Sequence, residues 1–429
     1  MLIMSKFSQY NIRIPLSDKS DILYNALSDR FIAIKHDLEL QNVPDLPESI
    51  SVLLQENGML TADDSDERSE AIELWKKNAS SSNVLTVIIN PTLRCNFNCW
   101  YCYENHTNAP IMSHDILEKV KKLIASSISG TDMLNISFFG GEPLLEFARI
   151  VAPLITYSEE VAGKSNKQIR FSFTTNGFLL TKEMISFLSS HNCRGMQITL
   201  DGGRNSHNKT RISKTNDSFE TITANIKRLL DHKISVTLRI NVTPENINDC
   251  SDILTWIQNL TDEQKHHLSV NVQQVWQTAK TSNISIQVDN LLDSICQLGV
   301  YAYPAILDNL RRMCYADKAN TVLINSNGDI FKCTAIDFKK EKRISNIFSA
   351  TVKEDLAENF NRLVEKRFSN KTCLSCRIFP LCLGGCHRSV VDHTENDYCI
   401  YNENQAKKDD IIMTIIKDRI RRDMVTTKR

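Results

Sequence analysis

RCNFNCWYCYE, residues 94–104, places Cys95, Cys99 and Cys102 in a CxxxCxxC spacing. Three thiolates this close can hold three irons of a four-iron, four-sulfur cluster and leave the fourth iron open. An open iron can bind and act on a small molecule, whereas a fully ligated cluster only passes electrons. The alternatives are a zinc site and three unrelated core thiols. Zinc sites pair C-x2-C with a second C-x2-C or with H-x3-H, and no such histidine pair follows here.

The run VLTVII, residues 84–89, leads through the turn 90–94 directly into this loop. Five more strand-length apolar runs follow: MLNISFF (133–139), IRFSFTT (169–175), GMQITL (195–200), SVTLRI (235–240) and LSVNVQQV (268–275). Helical stretches separate them, such as 115–128, where Ile116, Leu117, Val120, Leu123 and Ile124 share one face. Ser113 and Ser218 stand where N-caps would start two of these helices. Six alternating units imply parallel pairing through right-handed crossovers. They are too few for a closed eight-stranded barrel, so the expected fold is α/β, a partial (β/α)6 TIM-like barrel. The cysteine loop then sits at the carboxyl ends of the strands, where such folds place their active sites.

The chain has 429 residues, enough for two or three domains, with 51 basic and 51 acidic residues. That balance argues against a nucleic-acid partner, and the basic end 417–429 reads as a solvated helix end. The N-terminus lacks the apolar core and cleavage site of a signal peptide, and no apolar run approaches membrane-spanning length. A cytoplasmic protein with no membrane partner is expected. Thirteen cysteines in a reducing compartment then favour metal ligation over disulfides.

The cysteines are unevenly spread, and this divides the chain. Residues 1–82 contain none. There 10–16, 21–27 and 30–36 read as short strands, the last with Ile32 and Ile34 on one face, and 47–58 and 66–78 read as helices. The expected domains are an N-terminal α+β domain at 1–82, the partial barrel at 83–290, a cysteine-dense iron–sulfur domain at 291–402 and a closing helix at 403–429.

With Tyr101 before its last cysteine, the loop resembles the signature of radical S-adenosylmethionine (SAM) enzymes, which share the partial barrel. Gly140-Gly141-Glu142 follows the second strand and resembles the family's GGE motif, which contacts the methionyl amino group. Two glycines allow close backbone approach to a ligand, and a carboxylate accepts from an ammonium. Thr174-Thr175-Asn176-Gly177 resembles the family's TNG turn near the ribose. Thr199-Leu200-Asp201-Gly202 with Ser206–Arg211 looks like the LDG…H…R segment, by which Arg211 would bind the SAM carboxylate. Tyr101 would meet the adenine through its backbone, its side chain serving as aromatic packing.

Seven further cysteines resemble a SPASM domain in order and spacing. Cys314 precedes Gly328 and Cys333, and Cys373-x2-Cys376-x5-Cys382-x3-Cys386 is followed by Cys399. The resemblance implies two auxiliary [4Fe-4S] clusters, three in all with the radical one. Cys373, Cys376, Cys382 and Cys399 would hold the second, and Cys314, Cys333 and Cys386 the first. Asn320 stands where some members carry an extra cysteine, so the first auxiliary cluster has an open iron, or Asp317 or Cys296 as fourth ligand. Cys193, Cys250 and Cys296 otherwise read as structural thiols.

SPASM enzymes mostly modify peptides. The resemblance therefore implies a peptide maturase that installs a thioether or carbon–carbon crosslink in a ribosomally made precursor. Residues 1–82 resemble the winged-helix-like domain that binds leader peptides, with an ordinary barrel cap as the alternative. A flavodoxin or ferredoxin would supply electrons. No catalytic base is identified. The rivals are an anaerobic sulfatase-maturing enzyme, a peptide epimerase and a non-catalytic iron–sulfur scaffold. In the sulfatase group an aspartate follows the GxxxxC cysteine, whereas here Thr334 follows Cys333 and the nearest aspartate is Asp337.

Overall fold

Apolar and polar side chains alternate along most strands of the central sheet, while 84–89 and 321–324 are nearly continuous in apolar residues. The computed structural model describes residues 5–40, 42–81, 83–106, 109–212, 217–278, 284–305, 310 and 312–428. The chain divides into two compact units, one of Met1–Ser81, Ile306–Ala319 and Ala357–Ile416, the other of Ser82–Ala305, Asn320–Leu356 and Lys417–Arg429.

In the first unit β1 (Ser5–Phe7) pairs antiparallel with β5 (Leu60–Ala62). β2 (Asn11–Ser17), β3 (Ser20–Asn25) and β4 (Arg30–Lys35) form an antiparallel meander. One face of the meander packs Leu23, Ile32 and Ile34 against Leu54 of α1 (Glu48–Glu56). The other packs Ile12, Ile22 and Tyr24 into a core with Trp75 of α2 (Glu67–Ser80), Phe379 and Ile412. Residues 1–81 thus share one hydrophobic core with the cysteine-dense segment 357–416. Trp75 is fully buried, with Phe368 edge-on at 5.2 Å.

The second unit carries a ten-stranded sheet. β6 (Val84–Ile89), β7 (Met133–Phe138), β8 (Gln168–Thr175), β9 (Cys193–Leu200), β10 (Ser235–Val242) and β11 (Leu268–Gln274) lie side by side in chain order, all parallel. These are the six expected strands. The structure adds β12 (Tyr301–Tyr303), parallel to β11, and β13 (Thr321–Ile324), parallel to β6 on the opposite side. β14 (Asp329–Phe331) and β15 (Ser345–Asn346) extend that edge antiparallel. Such three- and four-residue strands carry no periodicity of their own and pair only because a finished edge is available.

The crossovers include α3 (His114–Ser127), α4 (Ala152–Lys164), α5 (Lys182–Ser190), α6 (Arg204–Thr210), α7 (Ser218–Asp231), α8 (Ser251–Gln258), α9 (Asp262–His266) and α10 (Ser285–Gln297). Leu134, Ile136 and Phe138 of β7 and Val236, Leu238 and Ile240 of β10 join the buried core with Val120 of α3 and Ile226 of α7. The alternate residues of the same strands, among them Asn135, Ser137, Thr237, Arg239 and Asn241, therefore face the other side and give the barrel a polar lumen. A parallel sheet buried on both faces would read as continuous apolar runs instead.

Ser113 caps α3, its hydroxyl accepting from the Ile116 amide. Ser218 does not cap α7. Asp217 does, its Oδ1 accepting from the Glu220 amide at 3.0 Å, while the Ser218 hydroxyl donates to the Arg211 carbonyl. Asp is as good a cap as Ser, and the first helical residue turns inward instead.

Candidate active site

The cysteine loop is fixed before it reaches its first thiol. Thr92 Oγ1 accepts from the Arg94 amide at 3.0 Å, and Arg94 Nε donates to the Ala109 carbonyl at 2.9 Å. Phe97 is buried and packs edge-on against Phe178 at 5.4 Å, pinning the loop's middle. The Cys102 amide turns back onto the Cys99 carbonyl at 3.0 Å. Cys95 and Cys99 are half-buried and Cys102 is exposed. Burial pushes the Cys95 thiol up to about 12 and raises Cys99 and Cys102, and neighbouring thiols along the loop act on one another's charge. Bare thiols here hold their protons, so iron would have to displace them. Among the described residues no three His, Cys, Asp or Glu side chains converge on a single-ion site. A cubane's ligands stand apart around its corners, unlike the four of a tetrahedral zinc.

The glycine pair meets the chain itself. A Cβ on Gly141 would lie 2.3 Å from the Arg94 carbonyl oxygen, and one on Gly140 2.4 Å from that of Thr92. The Gly141 amide donates to Thr92 at 3.1 Å and the Glu142 amide to Arg94 at 2.8 Å. The close approach expected toward a ligand is thus made to residues 92–94, and it props the base of the cysteine loop.

Glu142 is fully buried. Its Oε1 accepts from the Thr175 hydroxyl at 2.7 Å and the Leu144 amide at 3.0 Å, and its Oε2 from the Asn176 amide at 2.8 Å. Burial raises its carboxyl, and these donors and Arg211 pull it back. A carboxylate has about four lone-pair sites, so one position remains for an ammonium group. Asn176 also donates from Nδ2 to Asn96 Oδ1 at 2.8 Å, and that Nδ2 lies 3.9 Å from Cys95 Sγ. The turn after β8 is thereby tied to both the glycine motif and the cysteine loop.

Tyr101 departs from the expectation of simple aromatic packing. Its hydroxyl donates to Asp201 Oδ1 at 2.6 Å and accepts from Arg211 Nη2 at 2.8 Å and Asn241 Nδ2 at 3.0 Å. Arg211 Nε donates to Asp201 Oδ2 at 2.5 Å. Burial alone would weaken the Arg211 charge, and the Asp201 carboxylate more than restores it. The signal in the sequence was the aspartate of Leu200-Asp201-Gly202, whose side chain proves to be the counterion of Arg211.

Sequence reasoning missed Glu104 and His106. Both Glu104 oxygens are buried without a hydrogen-bond partner among the described residues, and burial pushes its carboxyl up to about 7. His106 Nδ1 is 2.6 Å from the Leu93 carbonyl, and its Nε2 is 3.3 Å from Cys102 Sγ. Nothing in residue type or spacing marks either.

In the first unit Cys373, Cys376, Cys382 and Cys399 line one cavity together with Phe379, Tyr401 and Lys408. Asn370 accepts from the Cys373 amide and donates to the Tyr398 carbonyl, joining the segments that carry the first and last of these cysteines. Burial pushes the Cys373 and Cys382 thiols up to about 12, and Cys382 is influenced by all three others. Cys314 and Cys386 belong to this unit and Cys333 to the other. Asp317, weighed as an iron ligand, is engaged elsewhere. Both its oxygens accept from Arg367 Nη2, at 3.0 and 2.9 Å, and Oδ1 lies 3.2 Å from His387 Nδ1. Cys296 is fully buried in the barrel core, 3.7 Å from the Ala302 carbonyl. Cys193 and Cys250 are buried in the same core.

Residues 89–257 match the Radical SAM superfamily. The chain is 21% identical over 345 residues to a cysteine-type anaerobic sulfatase-maturating enzyme of Clostridium novyi, covering 71% of this chain and 88% of that one. Its fold resembles that of anSMEcpe solved with AdoMet and the Kp18Cys peptide, with TM-score 0.61, 18% identity, and 80% of this chain and 99% of that one covered. It also resembles SuiB of Streptococcus suis bound to precursor peptide SuiA, with TM-score 0.58, 16% identity, and 94% and 100% covered. At such identities these two structures speak for the fold alone. With the cysteine loop, the Gly-Gly-Glu turn and the Asn176 turn all at the carboxyl ends of parallel strands, residues 89–257 of this chain are a radical SAM domain.

Proposed function

We propose that this protein is a radical SAM/SPASM peptide maturase that installs a thioether or carbon–carbon crosslink in a ribosomally made precursor. The observation that carries the reading is the pair of hydrogen-bonded groups that meet the Cys95–Cys102 loop, Glu142 with Thr175 and Asn176 tied to Asn96, and Tyr101 with Asp201 and Arg211. When bound, the cluster and SAM supply a 5′-deoxyadenosyl radical able to take hydrogen from an unactivated carbon. The chain's own part is positioning and exclusion of water. Cys95, Cys99 and Cys102 would hold the cluster, and Glu142 would accept the methionyl ammonium through its remaining lone pair. Thr175 and Asn176 hold Glu142 in place and would meet the ribose. Gly140 and Gly141 buttress the loop, Tyr101 would close the adenine side, and Arg211, with Asp201 as its counterion, would take the methionyl carboxylate.

The cavity lined by Cys373, Cys376, Cys382 and Cys399 supports an auxiliary [4Fe-4S] cluster in the first unit. With Asp317 and Cys296 engaged elsewhere, the first auxiliary cluster is proposed to keep an open iron. The fold likeness to SuiB with its precursor supports a peptide partner. Leader binding by residues 1–82 and a flavodoxin or ferredoxin donor belong to the same proposal. Among the described residues no helix is long and apolar enough to cross a membrane.

The test is anaerobic incubation with SAM and dithionite, alone and with short peptides encoded beside the gene. Formation of 5′-deoxyadenosine and loss of two hydrogens per event in the peptide support the crosslinking reading. Deuterium uptake without mass loss in water would mean epimerisation, and no 5′-deoxyadenosine would leave only a scaffold. The sulfatase-maturing reading draws on the C. novyi relative, but Thr334 stands where the sulfatase group is expected to carry its aspartate, and Asp337 is paired with Lys339 at 3.0 Å.

A further inference from the structure

The polar lumen holds two arginines beside the Tyr101 network, and they differ in one respect. Arg211 has its counterion in Asp201. Arg239, three residues before the end of β10, has none: among the described residues its hydrogen bond is Nε to Asn241 Oδ1, at 2.8 Å, and no carboxylate pairs with it. Asn241 in turn donates to the Tyr101 hydroxyl at 3.0 Å, so Arg239 is held at the end of the relay that reaches the cysteine loop.

A guanidinium out of bulk water without a counterion is costly. Burial draws the Arg239 pKa down, and Arg211 nearby pushes the same way, while Tyr101, Tyr103 and Asp201 offset part of this. With Nε committed to Asn241, the two Nη groups remain as a fork, the geometry that matches a carboxylate.

We propose that Arg239 is the docking site for an acidic side chain of the peptide substrate that enters the barrel, the methionyl carboxylate of SAM being left to Arg211. The inference rests on the maturase reading. With Arg211 already neutralised by Asp201, a carboxylate seated on Arg239 restores charge balance in the lumen. A substrate that brings its own carboxylate would be aligned by the same side chain that, through Asn241, steadies Tyr101.

The experiment uses the full-length, anaerobically reconstituted protein with Arg239→Gln and Arg239→Lys. Equilibrium dialysis measures binding of SAM and of decarboxylated SAM, and then of the peptides encoded beside the gene with each Asp or Glu intact or changed to its amide. A substrate carboxylate on Arg239 gives the acidic peptide a preference over its amide form of about tenfold or more, lost in Arg239→Gln and partly kept in Arg239→Lys. The preference for SAM over its decarboxylated form stays unchanged in both variants. The proposal is overturned if the peptide preference survives in Arg239→Gln, or if that variant loses the preference for SAM over its decarboxylated form instead. It is equally overturned if that variant weakens charged and neutral probes alike, since Arg239 would then only hold Asn241. Circular dichroism and iron content equal to wild type show that each variant folds. The 5′-deoxyadenosine assay of the wild type reads the maturase proposal separately from these affinities.

Discussion

The Tyr101 hydroxyl donates to Asp201 Oδ1 across 2.6 Å, joining residues one hundred positions apart and closing the cysteine loop onto the end of β9. Two further donors, Arg211 Nη2 and Asn241 Nδ2, converge on the same oxygen. Tyr101→Phe keeps the ring and removes the oxygen, leaving three buried or half-buried polar groups each short of a partner. An unsatisfied group of this kind costs about 1–3 kcal/mol, so the variant should lose about 2 kcal/mol or more of stability. It should also bind SAM at least several-fold more weakly in anaerobic dialysis. A variant as stable as wild type would mean that the ring alone matters.

Gly141 is a packing requirement before it is a binding one. With a Cβ 2.3 Å from Arg94 O and 2.5 Å from Leu93 O, Gly141→Ala must move backbone, since both atoms met are carbonyl oxygens. The expected loss is about four irons per chain, one cluster's worth, read by iron analysis of the reconstituted protein. Gly163, set in α4 where an added methyl would meet nothing within 4 Å, is the control. Gly163→Ala should keep all its iron and gain about 0.5–1 kcal/mol of helix stability. Equal iron in the two variants would show that the loop does not depend on the glycine buttress.

Much of this was legible because five of the six barrel strands alternate and the first, Val84–Ile89, is a continuous apolar run. Leu134, Ile136 and Phe138 announce the core face, and each chemically marked motif follows a strand directly. What stayed hidden depends on contacts between distant segments. Nothing local tells that Arg211 will find Asp201, that Asn241 will reach Tyr101, or that residues 1–81 will share a core with 357–416. Edge strands such as Tyr301–Tyr303 are too short to show a period. Glu104 is the opposite case: a carboxylate ordinarily reads as surface, and only the fold reveals that it is buried without a hydrogen-bond partner among the described residues.

Asp317 tests whether an acidic residue near a cysteine motif is a ligand or a strut. Its carboxylate meets Arg367 with both oxygens, and Arg367 Nη1 donates to the Gly385 carbonyl at 3.1 Å, next to Cys386. Asp317→Asn leaves the Arg367 charge buried and unpaired, which costs about 3–5 kcal/mol. A lowered unfolding midpoint with unchanged iron is expected. Loss of iron at unchanged stability would restore Asp317 as a ligand.

His207 sets a pH dependence of its own. It is fully buried, its Nδ1 accepts from the Asp201 amide at 3.3 Å, and among the described residues its Nε2 has no partner. Burial, with Arg211 nearby, depresses its pKa from 6.5 to about 3. In the unfolded chain the imidazole takes up a proton near its ordinary value, whereas in the fold it stays neutral down to about 3. Below pH 6.5 the unfolded state therefore binds the extra proton, and stability falls as pH drops through that window. The contribution is about 1.4 kcal/mol per pH unit between the two values. Replacing the ring by His207→Asn, which keeps an acceptor for the Asp201 amide, removes the titration. Denaturant unfolding at pH 7.5 and 5.5 should show wild type losing about 1.4 kcal/mol more than the variant. Parallel losses in the two proteins would mean that His207 gains a proton in the folded state and that its unpartnered Nε2 is not shut away from water.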